Sequence, residues 1–592
     1  MTFTRYFLVL ITFLAGTSPF YVSAQNSSEP SVHHDHAIYQ KIEKAYQKGT
    51  LTLDQKVLYK FYANSSPDKL PMEFRPAKES IQKCGTPAIS DFYKNRAKLA
   101  RSTVSEVESM MESNRIQSSQ TYQSPSGKFT IYYETSGPNA VPSGDQDRDG
   151  IPDYVEEVAQ AADSTYRHEV QRLGYTDPIP SGETYDIEIL DKPCGTIECY
   201  GQTVSNGTNT FIQIENDFEG FPPNDDPEGD QIGAVKVTIA HEFKHAIHYA
   251  ANKWQGETAN WLEMDATMME EVVYDNVNDY YNYLQSSESI FNNPSNSFYP
   301  GSYYHVTWAL YFDQRYGPEF WVNVWKTIKD NPFITMIEAM TRQLGGPEAF
   351  NDDFIASHLW HYASGPGNAS EDFGFRESQN YPSPPIQTEK GFYNRNFTIP
   401  RSAPADALKS FSAQYYSVPV PNNIEGGVSL DINSKAPNEG IGLIAYYKDG
   451  STESSVISSY NSQGAIRMSK LNWRNIDRLG LILTNSSTNT SGSDQPIIVG
   501  IGSNNFNSTL SQNYPNPFNP QTRIRFTLEQ ASQVQLKVYD SAGRLVQTLI
   551  DGELNAGLHE PVFDGSGLAS GIYFYQLKTN RQTFVKKMTL VK

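Results

Sequence analysis

The chain has 592 residues, with 47 Lys+Arg against 67 Asp+Glu and a formal net charge of -20. This acidity argues against nucleic acid or an anionic membrane as partner, because both need clustered positive charge. The length calls for three or four domains, and aromatics at 12% supply ample material for their cores. At the start, Arg5 precedes an apolar run over 7–16, and Val22-Ser23-Ala24 precedes Gln25, so residues 1–24 read as a secretory signal peptide. That run is too short to span a bilayer, and no later stretch approaches the ~20 apolar residues of a transmembrane helix. The mature protein is therefore expected outside the cytoplasm. Residues 31–115 are polar and mostly helix-patterned: Ile38, Tyr39, Ile42, Ala45 and Tyr46 fall at helical spacing, and 53–62 repeat it. His33-His34-Asp35-His36 reads as exposed polar residues just past a cleavage site, with metal binding as the alternative.

From Thr121 the pattern turns to strands, with alternation over 128–133, 185–189 and 210–214 and a helix over 154–173 between the first two. Residues 145–156 match the D-x-D-x-D-G-x5-E calcium loop at every constrained position. Asp145, Asp147, Asp149, Asp153 and Glu156 offer carboxylates, Ile151 its carbonyl, and Gly150 permits the sharp turn. Carboxylates so close together repel one another without a cation. Pro138 and Pro142 rule out an entering helix. The loop is thus expected to staple the strand ending near Glu134 to the helix from Tyr154, rather than to act as a paired sensor. Three cysteines cannot build a disulfide framework. Cys194 and Cys199 enclose a short loop that one disulfide can close, leaving Cys84 over; pairing of Cys84 with one of those two is the alternative. The acidic cluster at 225–230 is placed to cap the next helix.

That helix carries His241-Glu242-Phe243-Lys244-His245, an HExxH motif. Residues four apart share a helix face, so His241 and His245 can reach one metal ion, and Glu242 beside the open position can move a proton. A hydrolytic zinc needs a third protein ligand. Residues 260–271 form a second helix-like segment with three acids, Glu263, Asp265 and Glu270, able to supply it; Glu270 lies seven residues beyond Glu263, hence on the same face.

The run HEFKHAIH followed by Trp261-x-Glu263-x-x-Ala266-x-x-Met269-Glu270-Glu271 resembles secreted bacterial zinc metalloproteases of the glutamate-ligand (gluzincin) type. The resemblance implies Glu263 as third zinc ligand and a two-lobed α+β domain over 119–375 with the cleft between its lobes; Glu270, by its seven-residue spacing, reads as a carboxylate behind the ligands or in solvent. It also implies that residues 25–118 are a pro-segment covering the cleft. The stretch Tyr299-Pro300-Gly301-Ser302-Tyr303-Tyr304-His305 is similar to the tyrosine-bearing stretch of these enzymes, which makes Tyr303 and His305 candidates for binding the oxyanion. Helical patterns continue over 303–316, 319–329, 333–344 and 350–363.

Tyr381-Pro382-Ser383-Pro384-Pro385 leads into a region, 376–505, whose short strands over 427–432, 441–447, 478–484 and 497–502 suggest an immunoglobulin-like sandwich, a spacer or binding module. From about Leu510, Asn513-Tyr514-Pro515-Asn516-Pro517, Val538-Tyr539-Asp540, Gly571-Ile572-Tyr573 and Lys586-Lys587-Met588 resemble the type A sorting domain of the type IX secretion system, set at 506–592 with strands over 522–528, 534–539 and 572–578. The resemblance implies passage through the outer membrane by that machinery, followed by removal or exchange for a surface anchor. Together these features lead to an exported zinc endopeptidase with a structural calcium site. The alternative is a surface adhesion protein whose protease-like domain is catalytically weak.

Overall fold

Residues 37–76, 81–116, 120–388, 397–399, 408–420, 427–433, 438–458, 464–489, 498–504, 508–528, 532–554 and 557–592 are described by the structure, a computed structural model. The expected signal peptide and the histidine cluster at 33–36 lie outside the described residues. The chain opens with helices α1 (Ala37–Gln47), α2 (Leu53–Ser65), α3 (Thr86–Asn95) and α4 (Arg101–Ser113). Helix α2 starts at a capping box: the Thr52 hydroxyl accepts from the Gln55 N–H, and the Gln55 side chain accepts from the Thr52 N–H. Two donors of the first turn are satisfied at once. Between α2 and α3 runs a strand, β1 (Gln82–Cys84), inside the stretch whose pattern reads as helical.

The remaining strands of this region are β2 (Gln120–Gln123), β3 (Phe129–Tyr133), β4 (Tyr185–Leu190), β5 (Cys199–Ser205) and β6 (Thr210–Glu215). With β1 they form a six-stranded sheet in the order β1-β5-β6-β4-β3-β2. The pairs β1/β5, β6/β4 and β4/β3 are parallel, and β5/β6 and β3/β2 antiparallel. Strands β5 and β6 are buried along their whole length because helices cover both faces. Helices α5 (Asp153–Tyr166) and α6 (Asp230–Asn252) take one face. On the other, Phe61 of α2, Ala88 of α3 and Met110 of α4 line a cavity with Gln202 and Val204 of β5. Helix α5 continues as a π-helical stretch, Arg167–Leu173, to Gly174, whose φ of 83° ends it.

Helices α7 (Leu262–Val273), α8 (Tyr281–Leu284), α9 (Val306–Tyr316), α10 (Glu319–Asp330), α11 (Met336–Leu344) and α12 (Pro347–Tyr362) follow. Helix α9 begins after a tight turn, Tyr303–His305, rather than at Tyr303. Helix α11 begins at Met336 because the Thr335 hydroxyl caps it by accepting from the Glu338 N–H; Phe333, expected inside the helix, is left exposed. One continuous core runs from Ile38 of α1 through the sheet and α6 to Trp308 of α9 and Phe411.

Helix α12 also docks on a five-stranded sheet, Thr452–Ser458, Glu439–Tyr447, Ile476–Asn485, Ser412–Pro419 and Gln387–Thr388 in spatial order. Gly440 permits the contact, since a Cβ there would lie 2.2 Å from Ile355 Cδ1. A four-stranded sheet, Gly464–Asn472, Gly427–Asn433, Ile498–Asn504 and Phe397–Ile399, contributes Val428 to a cluster with Leu443 and Leu481 of the first. The C-terminal region has its own core around Phe526, Leu536, Tyr575 and Met588, and a four-stranded sheet, Leu545–Leu554, Ser532–Asp540, Gly571–Lys578 and Thr583–Leu590. The strand expected over 522–528 is divided into Gln521–Arg523 and Phe526–Leu528, which pair in different sheets. The fold is thus multidomain, an α/β N-terminal region followed by all-β sheets. Among the described residues no helix is long and apolar enough to cross a membrane.

Candidate metal centre

Helix α6 lies close against β5 because of Gly201, where a Cβ would stand 2.8 Å from Thr238 Cγ2 and 2.9 Å from the Gln213 carbonyl. Of the acidic cluster at 225–230, Asp230 stands in the first turn of α6, where a carboxylate suits the helix N-terminus. Asp226 and Glu228 pair instead with Lys236, and the position before the first turn is Gly229, with no side-chain cap. The HExxH face of α6 turns toward α7. His241 Nε2 and His245 Nε2 lie 3.1 Å apart. Glu263, in the first turn of α7, places Oε2 3.3 Å from His241 Nε2 and Oε1 3.1 Å from His245 Nε2. Around a tetrahedral ion with bonds of ~2.0–2.1 Å, ligand atoms sit about 3.3 Å apart, so this donor set fits a zinc-sized ion.

The surroundings fix the ligands. Glu270 Oε1 stands 2.7 Å from His241 Nδ1, which orients the ring and leaves Nε2 for the centre. Asp265 is committed elsewhere: its Oδ2 lies 2.6 Å from His248 Nε2 and accepts from Trp325 Nε1 at 2.7 Å. Burial lowers the His241 pKa, but Glu263 and Glu270 outweigh it and push it up to about 10. Burial raises Glu263, but the two imidazoles hold it well below the usual carboxylate range. Both shifts come from the pairing of the imidazoles with the carboxylates around them. Glu242 is fully buried; its Oε2 accepts from Thr203 Oγ1 at 2.8 Å, and Oε1 has no hydrogen-bond partner among the described residues.

Sequence reasoning missed a fourth group. Cys84, at the end of β1, points its sulfur into the cluster, 3.4 Å from His245 Nε2, and the ligand atoms of Cys84, His241, His245 and Glu263 all lie within 4.8 Å of one another. Burial, with Glu242 and Glu263 nearby, pushes its thiol well up. The two residues are 161 positions apart, and the only trace in the sequence is an unpaired cysteine. Cys194 and Cys199 form the disulfide and Cys84 is free. Next to Cys84, buried Lys83 reaches Glu270 Oε2 at 3.1 Å and Asp279 Oδ2 at 2.8 Å.

His305 departs from expectation. Its Nδ1 accepts from the Ser302 N–H at 3.0 Å and its Nε2 faces the Glu288 carbonyl at 3.0 Å, so both ring nitrogens are already used in holding the turn. Tyr303 is buried with its ring against Tyr283 and Tyr304.

A second cluster lies in the loop between β3 and α5. Carboxylate oxygens of Asp145, Asp147 and Asp149 converge within 4.8 Å. The turn passes through Arg148 (φ 64°) and Gly150 (φ 92°), with Gly150 N–H donating to Asp145 Oδ2 and Ile151 N–H to Asp149 Oδ1. Burial, and after it the charges of Asp147, Asp149, Asp153 and Asp145, raises the Glu156 pKa. Asp153 opens α5 and accepts from the Gln146 N–H. Buried Asp145 Oδ1 has no hydrogen-bond partner among the described residues.

Residues 512–591 match the family described as the secretion system C-terminal sorting domain. The chain therefore ends in a type IX sorting domain, which directs secretion across the outer membrane and implies contact with that machinery. No curated protein matches the sequence. Solved structures with partial likeness include PorZ of Porphyromonas gingivalis, described as a surface component of the type-IX secretion system (16% identity, 19% of this chain, 15% of that one, TM-score 0.12). A DUF4785 family protein of Legionella pneumophila (9%, 35% and 69%, 0.12) and a β-glucuronidase of Faecalibacterium prausnitzii (8%, 32% and 39%, 0.13) are others. The chain spans 15% of the length of PorZ.

Proposed function

We propose that the protein is an exported zinc endopeptidase of the gluzincin type, with His241, His245 and Glu263 as zinc ligands. The observation that carries this reading is the convergence of two HExxH imidazoles and Glu263 at 3.1–3.3 Å, backed by Glu270 on His241. Zinc, when bound in such a site, activates water and polarises a carbonyl. Glu242 is the proton carrier, its Oε2 fixed by Thr203 and its Oε1 left for the exchange. Of the two oxyanion donors expected from the turn at 303–305, Tyr303 fills the role, since both ring nitrogens of His305 are engaged in the turn. The loop 145–156 is a structural calcium site, with Asp145 Oδ1 as a donor that needs a cation. Residues 1–24 start export as a signal peptide, and the sheets within 376–505 form an immunoglobulin-like spacer or binding module.

The test is casein cleavage and metal content of the purified exported chain, before and after limited proteolysis. Glu242→Gln should lose about 10²–10⁴ in rate while keeping its zinc. Glu263→Ala should lose the metal, whereas Glu270→Ala should keep it with affinity weakened about 10–100-fold. Equal cleavage by Glu242→Gln and the native chain would end the mechanism, and zinc retained without Glu263 but lost without Glu270 would exchange their roles.

A further inference from the structure

We propose that residues 82–86 are a built-in inhibitor, in which Cys84 is the fourth zinc ligand and the strand around it fills the place of substrate. The proposal rests on the zinc reading above. Contacts of three kinds within five residues support it, made by the sulfur, by a hydroxyl and by the backbone. Cys84 Sγ brings a fourth ligand atom within 4.8 Å of those of His241, His245 and Glu263, and a hydrolytic zinc with three protein ligands keeps one further position for water. The Thr86 N–H donates to that sulfur at 3.3 Å from the first turn of α3, where a helix N-terminus favours a thiolate. The Thr86 hydroxyl also donates to Glu242 Oε2 at 3.1 Å, so the segment engages the proton carrier too.

The third contact is made by the backbone. Strand β1 pairs with β5, with Gln82 opposite Cys199 and Cys84 opposite Gly201. The Gln82 N–H donates to the Glu198 carbonyl and the Gly85 N–H to the Gly201 carbonyl, which takes up the sheet edge an extended peptide would join. Access is covered as well. A cavity of about 260 Å³ reaches Glu263, and its wall includes Tyr39, Glu43, Lys56, Lys60 and Asp91 of the same N-terminal segment. A thiol ligand, an occupied proton carrier, a filled sheet edge and a covered approach all come from residues 37–95. Activation is then a ligand exchange without redox change: the metal–sulfur bond breaks, a water oxygen takes the position, and the sulfur takes up a proton from solvent.

Zinc-edge X-ray absorption on the full exported chain tests the ligand without any substitution. One sulfur at ~2.3 Å beside nitrogen and oxygen at ~2.0–2.1 Å is expected. A shell of nitrogen and oxygen alone overturns the Cys84 assignment and leaves the zinc reading standing, whereas a chain that holds no zinc overturns both. In the cobalt-substituted protein, a thiolate-to-cobalt charge-transfer absorption should be present in the native chain and absent in Cys84→Ser at unchanged metal content; its persistence in the variant overturns the assignment. Casein cleavage tests the latch. Because only released molecules are competent, Cys84→Ala should be about tenfold or more active than the native chain before proteolysis, and the gap should close after it. Equal activity before proteolysis overturns the inhibitory role.

Discussion

The two ends of the chain are attached in opposite ways. Residues 508–592 have their own core and their own sheets, and their ion pairs lie at the surface: Arg544, 82% exposed, reaches Asp540 at 2.7 Å. The N-terminal segment shares its core with the sheet and α6, lends the sheet an edge strand, and buries Lys83 at 0% exposure between Glu270 and Asp279. A self-contained address can be detached without disturbing its neighbour. A segment built into the core can hold a site in one state until it is cut.

Replacing one cation in each end sharpens that contrast. Lys83→Met leaves two buried carboxylates without their cation and should cost about 3–5 kcal/mol in denaturant unfolding. Arg544→Met removes an exposed pair and should cost about 0–1 kcal/mol. Similar losses in both variants would mean that Lys83 does not anchor the segment.

The two candidate metal centres make a second contrast, one buried in the core and one in a surface loop. Calcium that binds only the folded loop stabilises it by about 2.7 kcal/mol at a hundred times its dissociation constant. The melting temperature should therefore rise with calcium after chelation in the native chain and stay flat in Asp145→Asn. A native chain that melts alike with and without calcium would remove the site.

Much of this was legible in the sequence where the signal is local. The i, i+4 spacing of His241 and His245 and the acidic spacing of the loop at 145–156 encode geometry directly, because helix and loop pitch convert residue spacing into distance. The choice of Glu263 over Asp265 came from resemblance, and the reason Asp265 stands apart, its contacts with His248 and Trp325, is tertiary. Strand β1 was not legible at all. Three residues are too few for a period, and Gln82–Cys84 is a strand only because the edge of β5 is there to pair with it. His305 shows the converse limit: its place in the chain suited an oxyanion donor, but the Ser302 N–H and the Glu288 carbonyl had already taken its ring.

The two regions also differ in how they answer to pH. In the core-bearing part, burial, and after it Glu377 and Asp275, push Glu271 up to about 9. Its unfolded value is near ~4.3, so between the two pKa values the folded state holds a proton that the unfolded state has lost. The stability it contributes is full below the unfolded pKa and is lost as pH rises toward 9. In the C-terminal region the sign is reversed. The Arg544 backbone N–H holds Asp540 low, and the Gln521 side chain holds Asp564 low, so any stability they add is present above the unfolded pKa and lost only in acid. Between pH 6 and pH 9 the main transition should therefore move to lower temperature while the C-terminal region stays level. Glu271→Gln, which keeps the neutral shape at every pH, should flatten the main slope. If calorimetry shows the same slope in the variant, Glu271 is ionised in the fold and its burial is relieved by a partner other than a proton.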